Sequence, residues 1–486
     1  MKVLFINPPI RLNDKPRNLP HGLAILANIV RTKFPDIGIK FLDWNAHRYS
    51  LEKVKTLIAE EYHDLIFIGG LIPVYSTIIE LASIIKKIHP TAIIVTGGSA
   101  AMSVPDLLLK HSEVDVICKG EGELALPDFI EFFKRTKSID FKLFKNTELK
   151  GFIIKNHVQN SLLDLPDYPY ITDLDTQSAL PAYDLLPMDI YLKNHVVGLG
   201  RDIDFISSRG CPYQCTFCYQ PWGRSFRAHS PDFIIDGIKH LIKKYNVQFI
   251  SFQDDEFMVN KKRLYEFCEK RNSEIPNILW SATGRANIVT DDLMKITKNS
   301  GCTTVSYGFE SGSPRMLKSM KKNISLNDME NAVYLNRKYG YPIPVSFILG
   351  LPGETRESCN ETLTFVKKNN LHLNSLMFAT PYPGTAIYDY AITSNKIKST
   401  NIHDFVMKLG DARDFVINLT DDFTDKELID QYHYMIKEGK KHYTPLSVEE
   451  SNKKIRSLYG KLANDYFNQE NKDTEHRTKY GAVDIF

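Results

Sequence analysis

Short apolar runs alternate with amphipathic segments along the first third of the chain, and several of these runs end in glycine. The strand-like runs are Lys2–Ile6, Ile39–Leu42, Leu65–Ile68, Ala92–Thr96 and Val114–Cys118. Apolar residues recur with helical spacing over Leu23–Lys33 and Tyr75–His89. Alternation of strands and helices predicts an α/β domain with a doubly wound parallel sheet. Ligands of such sheets bind at the carboxyl ends of the strands.

A second series of strand-like runs occupies the middle of the chain. It comprises Asp204–Ser207, Phe249–Phe252, Leu279–Ala282 and the runs within Thr303–Gly312 and Val345–Thr355. Polar or glycine-rich residues follow these runs, which is typical of parallel barrels, whose chemistry lies at the C-terminal ends of the strands. After Ile387, amphipathic patterns over Asp425–His442 and Val448–Asn468 predict a helical region that ends in a polar tail.

Four prolines interrupt the stretch from Leu165 to Asp189, which therefore predicts an extended connector between domains. We predict four segments: a first domain over 1–160, the connector over 161–198, a barrel over 199–395 and a mainly helical cap with the polar tail over 396–486. A chain of 486 residues is too long for one ordinary hydrophobic core, so more than one domain is expected.

Composition narrows the class of protein. With 43% hydrophobic and 24% charged residues, the chain resembles a soluble globular protein. The formal net charge of +3 gives no reason to expect a nucleic-acid partner. No apolar run approaches the length of a membrane span, and the apolar start of the chain ends too early, at Pro8-Pro9, for a secretory signal. We therefore expect a cytoplasmic protein.

Three closely spaced cysteines, Cys211, Cys215 and Cys218, are the strongest chemical motif. Three soft thiolates in C-x3-C-x2-C order can hold a [4Fe-4S] cube by three irons and leave the fourth open. A zinc site usually needs a second ligand pair, which is absent, and an odd total of seven cysteines in a long chain disfavours a disulfide framework. The other four are expected to be inert: Cys118, Cys268, Cys302 and Cys359.

The Gly210-Cys211-Pro212 start of this motif and the aromatic residue before its last cysteine resemble the cluster loop of the radical S-adenosylmethionine (SAM) superfamily. Later landmarks resemble the same family in the same order: Gln253–Glu256, Gly308–Gly312, Val345–Thr355 and Thr380–Thr385. The resemblance implies a partial (β/α)6 TIM-type barrel, and a cluster that binds SAM and cleaves it reductively to a 5′-deoxyadenosyl radical. It also implies SAM contacts from Phe217, Tyr219, Asp254, Asp255, Arg285, Glu310, Ser311 and Gly350. The acidic residues at 254 and 255 would equally fit a helix N-cap.

Glycine pairs at the predicted strand ends of the first domain, together with Asn7-Pro8-Pro9 and Pro20-His21-Gly22-Leu23, resemble the cobalamin-binding Rossmann-like domain of cobalamin-type radical SAM enzymes. The resemblance implies cobalamin contacts from Asn7, Pro8, Gly69, Gly70, Leu71, Gly97, Gly98, Ser99, Gly120 and Glu121. The Asp-x-His-x-x-Gly signature of many cobalamin proteins is absent, and His21 is expected to be a surface or cap residue. Because any doubly wound domain needs glycines after its strands, the sequence leaves cobalamin occupancy open.

The combined resemblance implies hydrogen abstraction from an unactivated carbon, followed by methyl transfer from methylcobalamin. An alternative is dehydration, rearrangement or ring formation with an empty or repurposed first domain. An iron–sulfur scaffold without enzymatic activity is disfavoured, because it would not need a SAM site. The substrate is left open as a small molecule, a lipid or a sugar, and the electron donor is expected to resemble flavodoxin or ferredoxin. The sequence identifies no substrate-contacting catalytic residue and no oligomeric state.

Overall fold

The computed structural model describes residues 1–12, 15–16, 18–145, 147–159, 161–193 and 201–463. These residues form two compact units. The first unit contains the described residues up to 193 together with Gln220–Gly223 and Ser399–Asp411, and the second contains the remaining described residues.

A seven-stranded sheet forms the centre of the first unit. Its strands are β1 (Lys2–Asn7), β2 (Gly38–Asp43), β3 (Leu65–Gly69), β4 (Ile93–Gly97), β5 (Val116–Cys118), β6 (Phe152–Asn156) and β7 (Ser161–Asp164). The order is β2-β1-β3-β4-β5-β6-β7, with the first five strands parallel and the last two antiparallel. All five residues of β3 are buried, because helices cover both faces of a parallel sheet. The predicted parallel strands are confirmed.

Ten helices surround this sheet among the described residues up to 193. They are α1 (His21–Lys33), α2 (Trp44–His47), α3 (Leu51–Ala59), α4 (Tyr75–Ile88), α5 (Ser99–Met102), α6 (Pro105–His111), α7 (Gly122–Thr136), α8 (Phe141–Lys145), α9 (Leu174–Gln177) and α10 (Met188–Lys193). Phe5, Phe67, Phe129 and Phe152 lie in the hydrophobic core of this unit. The core therefore joins helix α7 to strands near the middle of the sheet and to β6.

The proline-rich stretch is more regular than an extended connector. Strand β7 lies inside the predicted 161–198 segment, and α9, α10 and a 3-10 turn at Tyr183–Leu185 fall between or after its prolines. The stretch is bound to helix α1: the Asn28 side chain donates to the Leu180 carbonyl at 2.9 Å, and the Ala182 amide donates to the Ala24 carbonyl at 2.9 Å. Isolated prolines interrupt helices without preventing short ones between them.

Six parallel strands form the barrel of the second unit. The strands of this unit are β8 (Asp202–Phe205), β9 (Ser208–Arg209), β10 (Arg227–Ala228), β11 (Phe249–Phe252), β12 (Leu279–Gly284), β13 (Cys302–Glu310), β14 (Val345–Leu349) and β15 (Leu376–Phe378). The barrel order is β15-β14-β13-β12-β11-β8, while β9 and β10 form a separate antiparallel pair. This arrangement confirms the predicted partial (β/α)6 barrel.

The helices after residue 201 are α11 (Pro231–Tyr245), α12 (Lys261–Glu274), α13 (Asp291–Asn299), α14 (Pro314–Ser319), α15 (Leu326–Tyr339), α16 (Arg356–Lys368), α17 (Ala386–Thr393), α18 (Ile402–Met407), α19 (Asp425–His442) and α20 (Val448–Tyr459). Thr424 caps α19 and Ser447 caps α20, each with a capping box. Both helices lie where the amphipathic patterns predict them. The end of the predicted second helix and the polar tail lie outside the described residues. No helix in the described part of the chain is long and apolar enough to cross a membrane.

Candidate functional site

The three motif cysteines lie in the loop that follows β8, at the carboxyl end of the first barrel strand. Cys215 is buried, Cys211 is half-buried and Cys218 is exposed, and none of the three forms a disulfide. The thiols lie near one another, and burial is the main cause that raises the pKa of Cys211 and that of Cys218, the latter to about 12. Three neighbouring cysteine thiols outside any disulfide fit the ligand set of a cube with one open iron.

The described side chains contain no group of three His, Cys, Asp or Glu residues arranged to hold a single metal ion. This finding does not conflict with a cluster, because each cysteine of a cube ligates a different iron and the thiolates need not meet at one point. Cys218 and Asp255 are exposed, yet burial raises the pKa of both side chains. The Asp255 charge also raises the pKa of the Cys218 thiol, so the two side chains lie near each other.

Arg285 lies directly against the cysteine loop. Its guanidinium carbon is 3.7 Å from the centre of the Tyr213 ring, and its Nη1 is 3.8 Å from the Cys215 Sγ. The side chain is buried, and its Nε and Nη2 atoms have no hydrogen-bond partner among the described residues. Burial of unpaired donors on a charged group is costly, so these two nitrogens indicate a binding position for an anion.

Glu256 belongs to the same region, although the sequence patterns did not distinguish it from its acidic neighbours. The side chain is buried, and burial raises the pKa of its carboxyl to about 7 against the opposing effect of the Met258 amide, Arg285 and Lys322. A carboxyl with such a pKa can hold or release a proton near neutral pH.

Glu310, predicted as a SAM contact, forms a buried ion pair with Lys322 at 3.0 Å. The Glu310 backbone is left-handed, with φ of 67°, which is uncommon for a residue other than glycine. The Lys322 ammonium lies 5.9 Å from the centre of the Phe217 ring, in the cysteine loop. Sequence reasoning missed Lys322, because a Lys-Lys pair after a helix is typical of a solvated surface.

We expect Lys322→Met to lower the free energy of unfolding by about 3 kcal/mol, because it leaves the buried Glu310 carboxylate without its cation. Glu310→Gln in the Lys322→Met background should recover part of this loss. Lys338→Met is the matched control, since Lys338 pairs with Asp291 at the surface, where an ion pair contributes about 0–1 kcal/mol. Chemical denaturation measures both effects, and equal losses for Lys322→Met and Lys338→Met would contradict the buried-pair assignment.

Asp254 has its carboxylate fully engaged at the base of the cysteine loop. It accepts hydrogen bonds at 2.6 Å from the Ser207 amide, the Ser207 hydroxyl and the Ser208 hydroxyl, while Arg263 donates to the Ser207 carbonyl at 3.0 Å. The alternative of a helix N-cap is wrong for this residue, since α12 begins at Lys261 and Asn260 caps it. Asp254 therefore braces the strand end from which the cysteines project; its predicted SAM contact stays a prediction.

Other predicted SAM residues also have partners within the barrel unit. The Ser311 hydroxyl lies 3.2 Å from the Thr362 hydroxyl and accepts from the Ser313 amide at 3.1 Å. The Gly350 amide donates to the Glu354 carboxylate at 2.5 Å. Tyr219 lies against Gly384, where a Cβ would come within 2.9 Å of the tyrosine ring. These contacts organise the strand ends, and direct SAM contacts from the same residues stay predictions.

Glu354 should make the stability of this turn depend on pH. Burial raises the pKa of its carboxyl from 4.5 to about 7, despite hydrogen bonds from the Gly350 and Leu351 amides. Since the folded pKa is the higher one, the contribution of Glu354 to stability is fully present below about 4.5 and is lost as pH rises through about 7.

We expect Glu354→Gln to become more stable relative to wild type as pH rises. The difference between their free energies of unfolding should change by about 3 kcal/mol between pH 4.5 and pH 8. Denaturation of both proteins across this range checks the prediction. If the difference in free energy of unfolding stayed constant across this pH range, the raised pKa of Glu354 would be contradicted.

Polar residues predicted to contact cobalamin brace the strand-end loops of the first unit. Asn7 donates to the Asp43 carboxylate at 2.9 Å, Ser99 accepts from the Ile72 amide at 2.9 Å, and Glu121 accepts from the Ile171 amide at 2.7 Å. Pro8, Ser99 and Glu121 are buried. These groups keep the loops at the carboxyl edge of the sheet in place.

The glycines of this edge differ in what they allow. A Cβ on Gly69 would lie 2.9 Å from the Leu23 side chain, and one on Gly98, whose φ is 77°, would lie 2.6 Å from the Gly70 carbonyl oxygen. Gly98 is therefore required by its backbone conformation and by the nearby carbonyl oxygen, whereas a side chain at Gly69 would force the Leu23 side chain to move. Gly97 has only ordinary contacts, and Gly120 has open space where a side chain would be.

The carboxyl edge also exposes apolar side chains. Leu71 after β3 is 58% exposed, and Ile10 and Leu12 after the neighbouring β1 are 40% and 51% exposed. His21 is buried, which corrects the expected surface or cap position: its Nε2 has no partner among the described residues, and burial lowers its pKa to about 4. Exposed apolar groups beside an unpaired buried polar atom fit a large, mainly apolar ligand with polar edges, such as a corrin.

Comparison with known proteins identifies both parts of the chain. The family model described as "Radical SAM superfamily" matches residues 205–366, and the one described as "B12 binding domain" matches residues 12–130. The chain is 32% identical over 422 residues to an uncharacterized methyltransferase of Pyrococcus horikoshii, which covers 84% of this chain and 88% of the relative. It is 24% identical over 397 residues to an anaerobic magnesium-protoporphyrin IX monomethyl ester cyclase of Rubrivivax gelatinosus, covering 80% and 69%.

Among solved structures, the radical S-adenosylmethionine methyltransferase TsrM of Kitasatospora setae, with cobalamin and a [4Fe-4S] cluster bound, has the same fold. The superposition has a TM-score of 0.68 and covers 97% of this chain and 99% of TsrM, at 14% identity. The cofactors of enzymes that combine these domains are the [4Fe-4S] cluster, SAM and cobalamin. The cysteine loop, the barrel, the B12-binding domain and the long match to a methyltransferase show that this chain belongs to the cobalamin-dependent radical SAM methyltransferase family.

Proposed function

We propose that this enzyme methylates an unactivated carbon of a small-molecule, lipid or sugar substrate, with cobalamin as the methyl carrier. Arg285 provides the main structural support, because its guanidinium lies beside the Cys215 thiol and has two nitrogens without a partner among the described residues. The carboxylate of an iron-bound SAM would need such a cation there. The methyltransferase relative supports methyl transfer over dehydration or rearrangement.

When they are bound, the cluster and SAM supply the hydrogen-abstracting radical, and cobalamin supplies the methyl group. Cys211, Cys215 and Cys218 would hold three irons of the cluster. Arg285 would bind the SAM carboxylate, and Glu310, oriented by its ion pair with Lys322, would accept hydrogen bonds from SAM's polar groups.

Other side chains surround the cysteine loop. Phe217 lies near the Lys322 ammonium, and Asp255 lies near the Cys218 thiol. In the first unit, Leu71 and the neighbouring exposed apolar residues would receive the corrin, and Gly120 would leave space for its close approach. An electron donor such as flavodoxin or ferredoxin would reduce the cluster, and the reducing cytoplasm suits such a centre.

An isotope experiment tests the proposal. Anaerobically reconstituted enzyme is incubated with hydroxocobalamin, a reductant, SAM bearing a trideuterated methyl group and a panel of candidate substrates. We expect corrin absorption bands to coelute with the protein, and we expect a product that carries the deuterated methyl on carbon. Cys215→Ala is the negative control. Loss of water or ring closure without label would support the alternative reaction, and absence of corrin binding would contradict cobalamin-dependent transfer.

A further inference from the structure

Residues 399–411 return to the first unit after the chain has completed the barrel. We call them the return segment; they contain a 3-10 turn at Ser399–Asn401 and helix α18. The return segment lies outside residues 12–130, the stretch that the B12-binding family model matches. The domain model therefore assigns it no role.

One end of the return segment is fixed by a bidentate ion pair. Arg11 donates from Nη2 to one Asp411 carboxylate oxygen at 2.6 Å and from Nε to the other at 3.2 Å. Both side chains are partly buried. Paired hydrogen bonds of this kind are among the stronger ionic contacts, and they define orientation as well as distance. Because Arg11 lies in the loop after β1, this contact places Asp411 at the carboxyl edge of the sheet.

The other end is fixed by stacked rings. The His403 ring lies 3.9 Å from the His111 ring, centre to centre, and meets the Tyr75 ring edge-on at 6.0 Å. Tyr75 begins α4, the helix that follows β3. Phe405 and Val406 of α18 are buried. The return segment is thus attached at the β3 side of the sheet and again at the β1 side.

Apolar side chains are exposed both on the return segment and on the adjoining strand ends. Met407, between the two attachments, is 39% exposed, and Leu71, Ile10 and Leu12 on the sheet edge are more exposed still. Large exposed apolar groups in one region indicate a binding surface rather than ordinary solvent-facing positions. A corrin ring would cover such groups.

We propose that the return segment is a strap across the carboxyl edge of the first sheet and forms part of the cobalamin site, with Arg11 and Asp411 as its clasp. This inference rests on the proposed cobalamin-dependent function. A strap already held at both ends loses little conformational freedom when cobalamin binds, so its contacts add to affinity.

Charge exchange at the clasp tests the proposal. Arg11→Asp and Asp411→Arg each place like charges together and should weaken hydroxocobalamin binding by about tenfold, equivalent to about 1.4 kcal/mol. The double exchange restores the pair and should bring the dissociation constant back to within about threefold of wild type. Equilibrium dialysis followed by absorbance measures the constants. The matched control exchanges Lys134 and Asp36, a surface pair of the same unit at 2.7 Å, and should leave binding unchanged.

Met407→Glu provides a second variant, at a position that is 39% exposed. It should weaken cobalamin binding while leaving iron content and SAM affinity, properties of the second unit, unchanged. If wild type binds cobalamin and neither the clasp variants nor Met407→Glu weakens binding, the strap is overturned and the proposed function stands. If wild type binds no cobalamin, both proposals fail. If a single clasp variant unfolds, the double exchange and Met407→Glu test the strap proposal in its place.

Discussion

Cys215→Ala should abolish reductive SAM cleavage, the largest loss expected from any single substitution in this chain. Cys215 is the buried member of the triplet, and its thiol lies next to the Arg285 guanidinium. Without it, two thiolates are left for a cube that needs three protein ligands. The cluster should not assemble, and 5′-deoxyadenosine formation should fall to the background rate.

Three measurements check this result: the iron and sulfide content, the thiolate-to-iron charge-transfer absorbance of the cluster, and the yield of deoxyadenosine. Cys359→Ala is the matched control, because Cys359 is also buried but lies on α16, apart from the loop. The control should retain its cluster and its activity. A Cys215→Ala protein that kept a full cluster and cleaved SAM would disprove the assignment of the triplet.

Arg285→Gln should produce the second-largest effect, a loss of SAM affinity with the cluster intact. The substitution removes the positive charge and the guanidinium nitrogens that would bind the SAM carboxylate. Hydrogen bonds to charged groups contribute about 1.5–3 kcal/mol. The dissociation constant for SAM should therefore rise by about tenfold to a hundredfold. Iron content should stay at the wild-type level, because the cysteines are unchanged.

Arg271→Gln is the matched control for this prediction. Arg271 is a buried arginine of the same unit, but its guanidinium donates to the Ile278 carbonyl, with the Nε at 2.8 Å. This variant should lose stability without losing SAM affinity. Equilibrium binding of radiolabelled SAM to reconstituted protein separates the two outcomes. Equal loss of SAM affinity in both variants would show that Arg285 acts through the fold rather than by contact.

The positions of strands could be predicted from sequence where burial on both faces gives a continuous run of apolar residues. Strand β3 is apolar throughout because both of its faces are covered, and its predicted bounds agree with the structure to within one residue. Strands β6 and β7 were missed. In β7, half-buried and exposed positions alternate over only four residues, and β7 pairs with β6 in an antiparallel hairpin outside the repeating strand–helix units. Short edge strands carry little local signal.

The residues of the candidate site also differ in whether their roles depend on local sequence or on tertiary contacts. Arg285 was proposed from sequence because its place after a strand is a local property. The structure places its guanidinium beside Cys215, and its SAM contact stays a prediction. Lys322 could not be predicted, because its burial and its pairing with Glu310 depend on how α14 ends against the barrel. Asp254 shows a third situation: its type and position were informative, but the serines that occupy its oxygens lie 46 and 47 residues earlier.

The ion pair between Arg11 and Asp411 joins residues 400 positions apart in the chain. The first unit therefore cannot be completed during synthesis until residue 411 has left the ribosome, by which time the barrel strands have all been made. Domains usually fold in order from the N-terminus. Here the N-terminal domain is begun first and finished after the barrel, so a fragment that stops before residue 399 would lack part of the domain at its own beginning.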